Sequence, residues 1–191
     1  MNKSPGRPRS KETKSAILKA AYDLLFEIGF NKISIEGIAK KAGVSKVTIY
    51  KWWNTKGALI LDAFFTFSEL QLPVPNTGSV KEDLYQQVLN LSEFIKSEKG
   101  AILLEFIGEG QSNIEFGKEY RDRYFTPRRL ISNKIIERGI ERGELKRTVD
   151  SSILIDLIFA PIFYRLLITK EKVDEDYITK IIDIAFRGYC I

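Results

Sequence analysis

Apolar residues along this 191-residue chain recur at spacings of three and four, and no segment alternates with a period of two. That periodicity predicts an all-α fold, with helices separated by short polar turns. A first helix is expected from about Lys11 to Ile28, with Ile17, Ala21, Leu24 and Ile28 on one apolar stripe and Gly29 ending it. Residues 1–9 carry two prolines and a glycine and are expected to be a tail. Ser34 suits the N-cap of a second helix reaching Lys41, whose inner face is Ile35, Ile38, Ala39 and Ala42. Gly43 stops that helix, Val44 plugs the turn, and Ser45 caps a third helix over about Lys46–Trp52. Thr55 or Asn54 caps a fourth, running to about Leu70.

The stretch from Leu72 to Gly78, with two prolines and a glycine, is the clearest linker. Beyond it the pattern predicts helices at about Ser79–Ser97, Lys99–Gly110, Glu115–Gly143, Asp150–Thr169 and Asp174–Gly188, about nine in all. Pro127 must kink its helix or start a new one, because it has no amide hydrogen for the ladder, and Pro161 poses the same question. The most apolar run, Ile153–Ile168, is interrupted by Asp156, Pro161 and Arg165. At 16 residues it reads as a buried helix rather than a membrane span.

Composition narrows the function. Histidine is absent, which removes histidine metal ligands, serine–histidine and cysteine–histidine nucleophile pairs and the usual general base near neutral pH. No catalytic residue, metal site or cofactor is assigned, and an enzyme is not expected. An enzyme reading would have to rest on carboxylates such as Glu105 and Glu109, four apart on one helix. The single cysteine, Cys190, forms no internal disulfide. The N-terminus is polar and basic without an apolar core, so a soluble cytoplasmic protein with no membrane partner is expected. The net charge of +5 is unevenly placed: residues 1–57 carry +8 and the remainder −3. A basic head on a slightly acidic body points to a polyanionic partner.

The two short helices joined by Ala42-Gly43-Val44-Ser45 form a helix-turn-helix, in which a glycine permits the tight turn and a small apolar residue fills the angle. The N-terminal residues of the second helix can then reach base edges in a DNA major groove. Ser45 and Thr48 offer short hydrogen-bonding side chains, Lys46 and Lys51 are cationic, and Tyr50 can place its hydroxyl on a phosphate. Ile49 and Trp53 face inward. Arg7 and Arg9, in an extended Gly-Arg-Pro-Arg arm, are candidates for a narrow minor groove.

The run from Ile33 to Ile60, with its turn, Thr48-Ile49-Tyr50 and following Lys56, resembles the signature of the tetracycline-repressor (TetR) family. Ala20-Ala21-Tyr22-Asp23-Leu24-Leu25-Phe26-Glu27-Ile28-Gly29-Phe30 is similar to the family's first helix, and the body resembles it more weakly. The resemblance implies a homodimer that binds a palindromic operator in double-stranded DNA. Its head would be a three-helix domain over residues 11–56 behind a basic arm (1–10), and its ligand-binding and dimerisation body would span residues 57–191. By position it adds Val47 and Trp52 to the recognition contacts, Lys56 as a phosphate contact and Ser34 as the cap of the second helix. Gly37 and Gly57 depart from the family, which usually has better helix formers there; each costs about 1 kcal/mol locally.

In the body, the last two helices are apolar on more than one face. The resemblance implies that they pair with their copies, through Leu154, Leu157, Ile158 and Phe163 on one and Ile178, Ile181, Ile182 and Phe186 on the other. Candidate pocket residues are Phe64, Phe67, Leu104, Ile107, Tyr120, Phe159 and Tyr164, with Glu105, Glu109 and Arg128 to orient a small-molecule effector. The function expected is a repressor released from its operator by a ligand. The alternative is a DNA-binding regulator without such an effector, controlled by a partner or by abundance.

Overall fold

The computed structural model describes residues 8–68, 74–187 and 189, and all secondary structure among them is helical apart from an isolated bridge at Leu145. Arg7, Leu70, Leu72, Pro73, Gly188 and Cys190 lie outside the described residues. The chain divides into two compact units. Unit 1 is Met1–Leu70 with Asn113–Arg123, and unit 2 is Gln71–Ser112 with Tyr124–Ile191.

Unit 1 holds α1 (Pro8–Ile28), a 3-10 turn (Phe30–Lys32), α2 (Ile35–Ala42), α3 (Lys46–Tyr50), α4 (Lys56–Phe67) and α7 (Ile114–Tyr120). Helix α1 begins at Pro8, earlier than the expected Lys11, so Arg9 lies in its first turn and not in an extended arm. The buried stripe of α1 is Ile17, Leu18, Ala20, Ala21 and Leu25, while Ile28 faces outward. It packs on α2 and on α4, whose Leu59, Ile60, Leu61 and Phe64 are fully buried. Helix α4 thus belongs with the head, and the division between units falls after it rather than before it.

Gly57 explains its own departure from helix propensity. A Cβ at this position would stand 2.7 Å from Cδ2 of Phe116, so its absence lets the ring from α7 seat against the start of α4. The same ring meets Phe30 edge-on at 5.0 Å between centroids.

Unit 2 holds α5 (Val80–Ile95), α6 (Glu98–Ser112), α8 (Thr126–Glu141), α9 (Ser151–Tyr164) and α10 (Glu175–Phe186). A π-helical turn, Arg121–Phe125, joins α7 to α8 in one run and delivers Pro127 to the first turn of α8. Counted this way, the described residues form nine α-helical runs. Pro161 is carried inside α9, which continues as a π-helical turn over Arg165–Thr169. The core gathers Leu84 and Val88 of α5, Ile135 and Ile136 of α8, Leu154, Ile158 and Ile162 of α9, and Ile178, Ile182 and Phe186 of α10.

A polar cluster ties the segment before α5 to this core. The fully buried Asp83 carboxylate accepts from the Thr77 backbone N–H at 2.7 Å and from its hydroxyl at 2.8 Å. Arg138 of α8 reaches the other Asp83 oxygen at 3.4 Å and the Pro75 carbonyl at 2.6 Å. Gly139 lets α5 and α8 approach, since a Cβ there would lie 2.6 Å from that of Val80.

Candidate nucleic-acid interface

The helix-turn-helix is fixed by short-range bonds. The Ser34 hydroxyl accepts from the Gly37 N–H at 3.1 Å, capping α2 as its sequence position requires. Gly43 takes the left-handed conformation, φ 66°, that ends α2, and the Val44 N–H returns to the Ala39 carbonyl at 3.0 Å. The Ser45 hydroxyl accepts from the Thr48 N–H at 3.2 Å and lies 3.0 Å from the Thr48 hydroxyl. Thr55, rather than Asn54, caps α4 by accepting from Ala58 N–H at 3.0 Å.

Helix α3 is five residues long, too short to be stable alone. Ile49 and Trp53, both buried as expected, anchor it to the head. Its other side is open. Val47 is 69% exposed and Tyr50 50% exposed, with Ser45, Lys46 and Lys51 also exposed around them. Thr48 and Trp52 are half-buried, Trp52 lying against Trp53 with ring centroids 5.9 Å apart. Among the contact candidates, Ser34 is exposed and Lys56 half-buried. The Lys56 ammonium donates to the Ile33 carbonyl at 3.2 Å and sits 5.0 Å from the Phe30 ring centroid, so part of its bonding capacity is used inside the head.

Sequence reasoning missed a carboxylate at this face. Glu36 of α2 pairs with Lys46 at 2.7 Å. The hydrogen bond from Lys46, then one from the Glu36 backbone and then the Lys46 charge, hold the Glu36 carboxyl below the usual range, and Glu36 in turn raises the Lys46 ammonium. Ten positions separate the two residues, so no helical spacing relates them. Only the turn brings them together.

The expected pocket set draws on both units. Phe64 and Tyr120 are buried in the core of unit 1, and Phe67 meets Tyr22 at a tilt in the same unit, with centroids 5.4 Å apart. Leu104, Glu105, Ile107, Glu109, Arg128, Phe159 and Tyr164 belong to unit 2, where Glu105 and Tyr164 are exposed. Arg128 lies 5.8 Å from the Tyr124 ring centroid, and Phe159 packs against the core. A groove of about 320 Å³ in unit 2 is lined by Ser79, Lys81, Glu82, Tyr85, Thr179 and Ile182, none of them in the expected set.

The dimer set also needs correction. Leu154, Ile158, Ile178, Ile182 and Phe186 are buried in their own unit's core, and only Leu157, half-buried Phe163 and half-buried Ile181 remain accessible. A helix apolar all round gives no polar stripe to say which side faces home. The outward side of α9 and of the π-helical turn that continues it is Ile153, Leu157, Tyr164 and Ile168, and α10 adds Ile184. The run Ser151–Thr169 is long and apolar enough, by length and composition alone, to cross a membrane. It nearly matches the helix expected over Asp150–Thr169, but it is buried on one side only where a buried helix was expected.

Comparison with known proteins agrees with this geometry. Residues 17–63 match the family described as bacterial regulatory proteins, tetR family, and residues 74–185 match the tetracyclin repressor-like C-terminal domain. The chain is 46% identical over 188 residues to the helix-turn-helix-type transcriptional regulator YdeS of Bacillus subtilis, covering 98% of this chain and 95% of YdeS. It is 30% identical over 147 residues to the regulator AqdR of Rhodococcus erythropolis, covering 77% of this chain and 70% of AqdR. The crystal structure of the TetR-family regulator SCO0332 superposes with a TM-score of 0.78 at 34% identity, covering 94% of this chain and all of that one. FadR of Bacillus subtilis, solved in complex with stearoyl-CoA, shares the fold at a TM-score of 0.62 and 21% identity, covering 91% and 98%. The chain belongs to the TetR family of bacterial transcriptional regulators and carries that family's DNA-binding helix-turn-helix.

Proposed function

We propose that the protein is a homodimeric, sequence-specific repressor that reads a palindromic operator with α3 and leaves it when a small molecule binds the body. The observation that carries the DNA reading is the open side of α3. Val47 and Tyr50 are large, apolar or aromatic, and exposed between Lys46 and Lys51, an arrangement that the packing of the head does not explain. It suits thymine methyl contact and phosphate bonding. Ser45, Thr48 and Trp52 complete the recognition set, Ser34 and Lys56 flank it, and Arg7 and Arg9 extend it at the N-terminus. The protein acts in the cytoplasm, as a regulator without catalytic activity.

The outward stripe Ile153, Leu157, Tyr164 and Ile168 with Ile184 supports the dimer, because a second copy would remove it from water. Two copies are needed to set recognition helices about one DNA turn, roughly 34–36 Å, apart. Leu157→Glu with Ile184→Glu is expected to give monomers in sedimentation and to abolish tight operator binding. Retained dimers would remove this surface from the assignment.

Selecting duplexes from a random pool tests the DNA reading: a palindromic consensus is expected, and no enrichment defeats it. On the selected site, Lys51→Ala should flatten the salt dependence of affinity by about one. Glu36→Gln should tighten binding by about threefold, since Lys46 is then released to the phosphates. An unchanged affinity would mean that Lys46 takes no part.

The effector is supported by the family relationship and by FadR, a protein of the same fold solved with an acyl-CoA. A ligand acts by preferring one body conformation, and equal affinity for both would regulate nothing. The alternative is control without an effector, by a partner or by abundance. Titrating small apolar and cationic molecules against operator binding decides between the two, and insensitivity throughout favours the second.

A further inference from the structure

Three residues beyond the end of α3 stands Trp53, which is 2% exposed. A buried indole N–H needs an acceptor, and a charged one makes the stronger bond. Trp53 Nε1 donates to Asp62 Oδ2 of α4 at 2.7 Å. The other oxygen of that carboxylate, Oδ1, receives Arg123 Nη1 at 2.7 Å, and Arg123 Nε donates to Glu119 of α7 at 2.5 Å. One carboxylate therefore joins the chain just beyond the recognition helix to a guanidinium held by a third helix. Lys14 of α1 approaches the opposite partner, 5.7 Å from the Trp53 ring centroid.

The geometry of this relay matters because α3 has so few residues of its own. Its axis is set by the Ser45 cap, by Ile49 and by Trp53, and Trp53 alone among them carries a directional side-chain bond to another helix. An apolar anchor tolerates sliding by fractions of an ångström, whereas a hydrogen bond weakens steeply with misalignment. Asp62 shares its charge with Arg123, so losing Arg123 leaves the carboxylate free to turn towards water and to loosen the indole bond. Arg123 is also the last residue of unit 1 before the chain enters unit 2, inside the π-helical turn Arg121–Phe125. The far end of the relay lies at the covalent exit from the head.

We propose that Asp62 and Arg123 are positioning residues for DNA reading, setting the placement of α3 through the Trp53 indole. This rests on the DNA-binding reading above and adds to it residues that lie off the recognition face. The relay aligns Val47, Tyr50 and their neighbours with the bases and touches no DNA itself. Phosphate contacts tolerate a small misplacement of α3 better than base contacts do, so specific binding should suffer more than nonspecific binding.

The test compares two duplexes, the wild-type-selected site and a scrambled one of equal length, across Arg123→Gln, Arg123→Lys and Asp62→Asn. Arg123→Gln is expected to weaken selected-site binding by about tenfold while scrambled-site binding changes by less than about twofold. Arg123→Lys keeps a cation and should restore part of the loss. In the 1H–15N spectrum of the DNA-free protein, which has two indole signals to assign, the Trp53 signal should shift in Arg123→Gln. Equal losses on both duplexes, no loss on either, or an unmoved Trp53 signal would each overturn the proposal. If the wild-type protein enriches no duplex, the DNA-binding reading fails instead, and the indole signal still reports whether the relay holds.

Discussion

Replacing Asp83 with alanine is expected to destabilise unit 2 by about 2–4 kcal/mol. Two effects add. The Thr77 N–H and hydroxyl lose their shared acceptor, and Arg138 loses its carboxylate while its Nη2 remains held by the Pro75 carbonyl. Distances decide their order. The Thr77 bonds, at 2.7 and 2.8 Å, are well formed, whereas the Arg138 contact is 3.4 Å and the arginine side chain is 30% exposed. Water reaching Arg138 discounts the ionic part, so the acceptor role dominates. Asp83→Asn should therefore keep more than half of the lost stability, because its amide oxygen still accepts from Thr77. Denaturant midpoints at one fixed protein concentration measure both, since dimerisation would make stability concentration-dependent. A midpoint unchanged in Asp83→Ala would mean that the cluster contributes nothing to holding the segment before α5.

Two glycines of α6 should respond to alanine with opposite signs. In a helix interior alanine is favoured over glycine by about 1 kcal/mol, and Gly108, with no heavy atom within 4 Å of a built Cβ, should show that gain. Gly100 should not. A Cβ there would stand 2.3 Å from the Phe94 carbonyl oxygen and 2.4 Å from the Ile95 Cα, which are backbone atoms that no rotamer can clear. The corner is also tied by Ser97, whose hydroxyl donates to the Phe94 carbonyl at 2.6 Å and accepts from the Gly100 N–H at 3.1 Å. Gly100→Ala must open the α5–α6 corner, at about 3 kcal/mol or more. A fall of about 6 °C or more in the thermal midpoint is expected, against a small rise for Gly108→Ala. Equal shifts in the two variants would show that the corner yields freely.

The features legible in the sequence were those set by neighbours in the chain. Ser34, Ser45 and Thr55 cap where a short hydroxyl precedes an apolar period, and Gly43 turns where positive φ is needed. The order of helices and the inward Ile49 and Trp53 followed from the same local chemistry. What escaped was set by partners distant in the chain. Gly57 reads as a weak helix former until Phe116 is seen against it. Glu36 reads as an ordinary first-turn acid until the turn delivers Lys46. On α9 the pattern lacked contrast, with isoleucine, leucine and phenylalanine on nearly every side, so Leu154 and Ile158 were expected outward and lie inward. The pocket candidates were chosen as aromatic or charged residues on apolar helices, a criterion that the core of unit 1 satisfies equally well. At Pro8 and Arg9, local reasoning gave a tail because it counted prolines as helix breakers, yet both residues lie in α1.

The brevity of α3 limits how this regulator can acquire new targets. Of the nine residues from Ser45 to Trp53, Ser45 is committed to the cap, Ile49 and Trp53 to the head, and Thr48 and Trp52 are partly covered. Lys46, Val47, Tyr50 and Lys51 are left as positions whose side chains can change without loosening the helix beneath them. A library confined to those four would vary sequence preference while leaving the packing of the head untouched. Variants with altered operators, whether made by design or by descent, should differ there and leave the five committed positions alone.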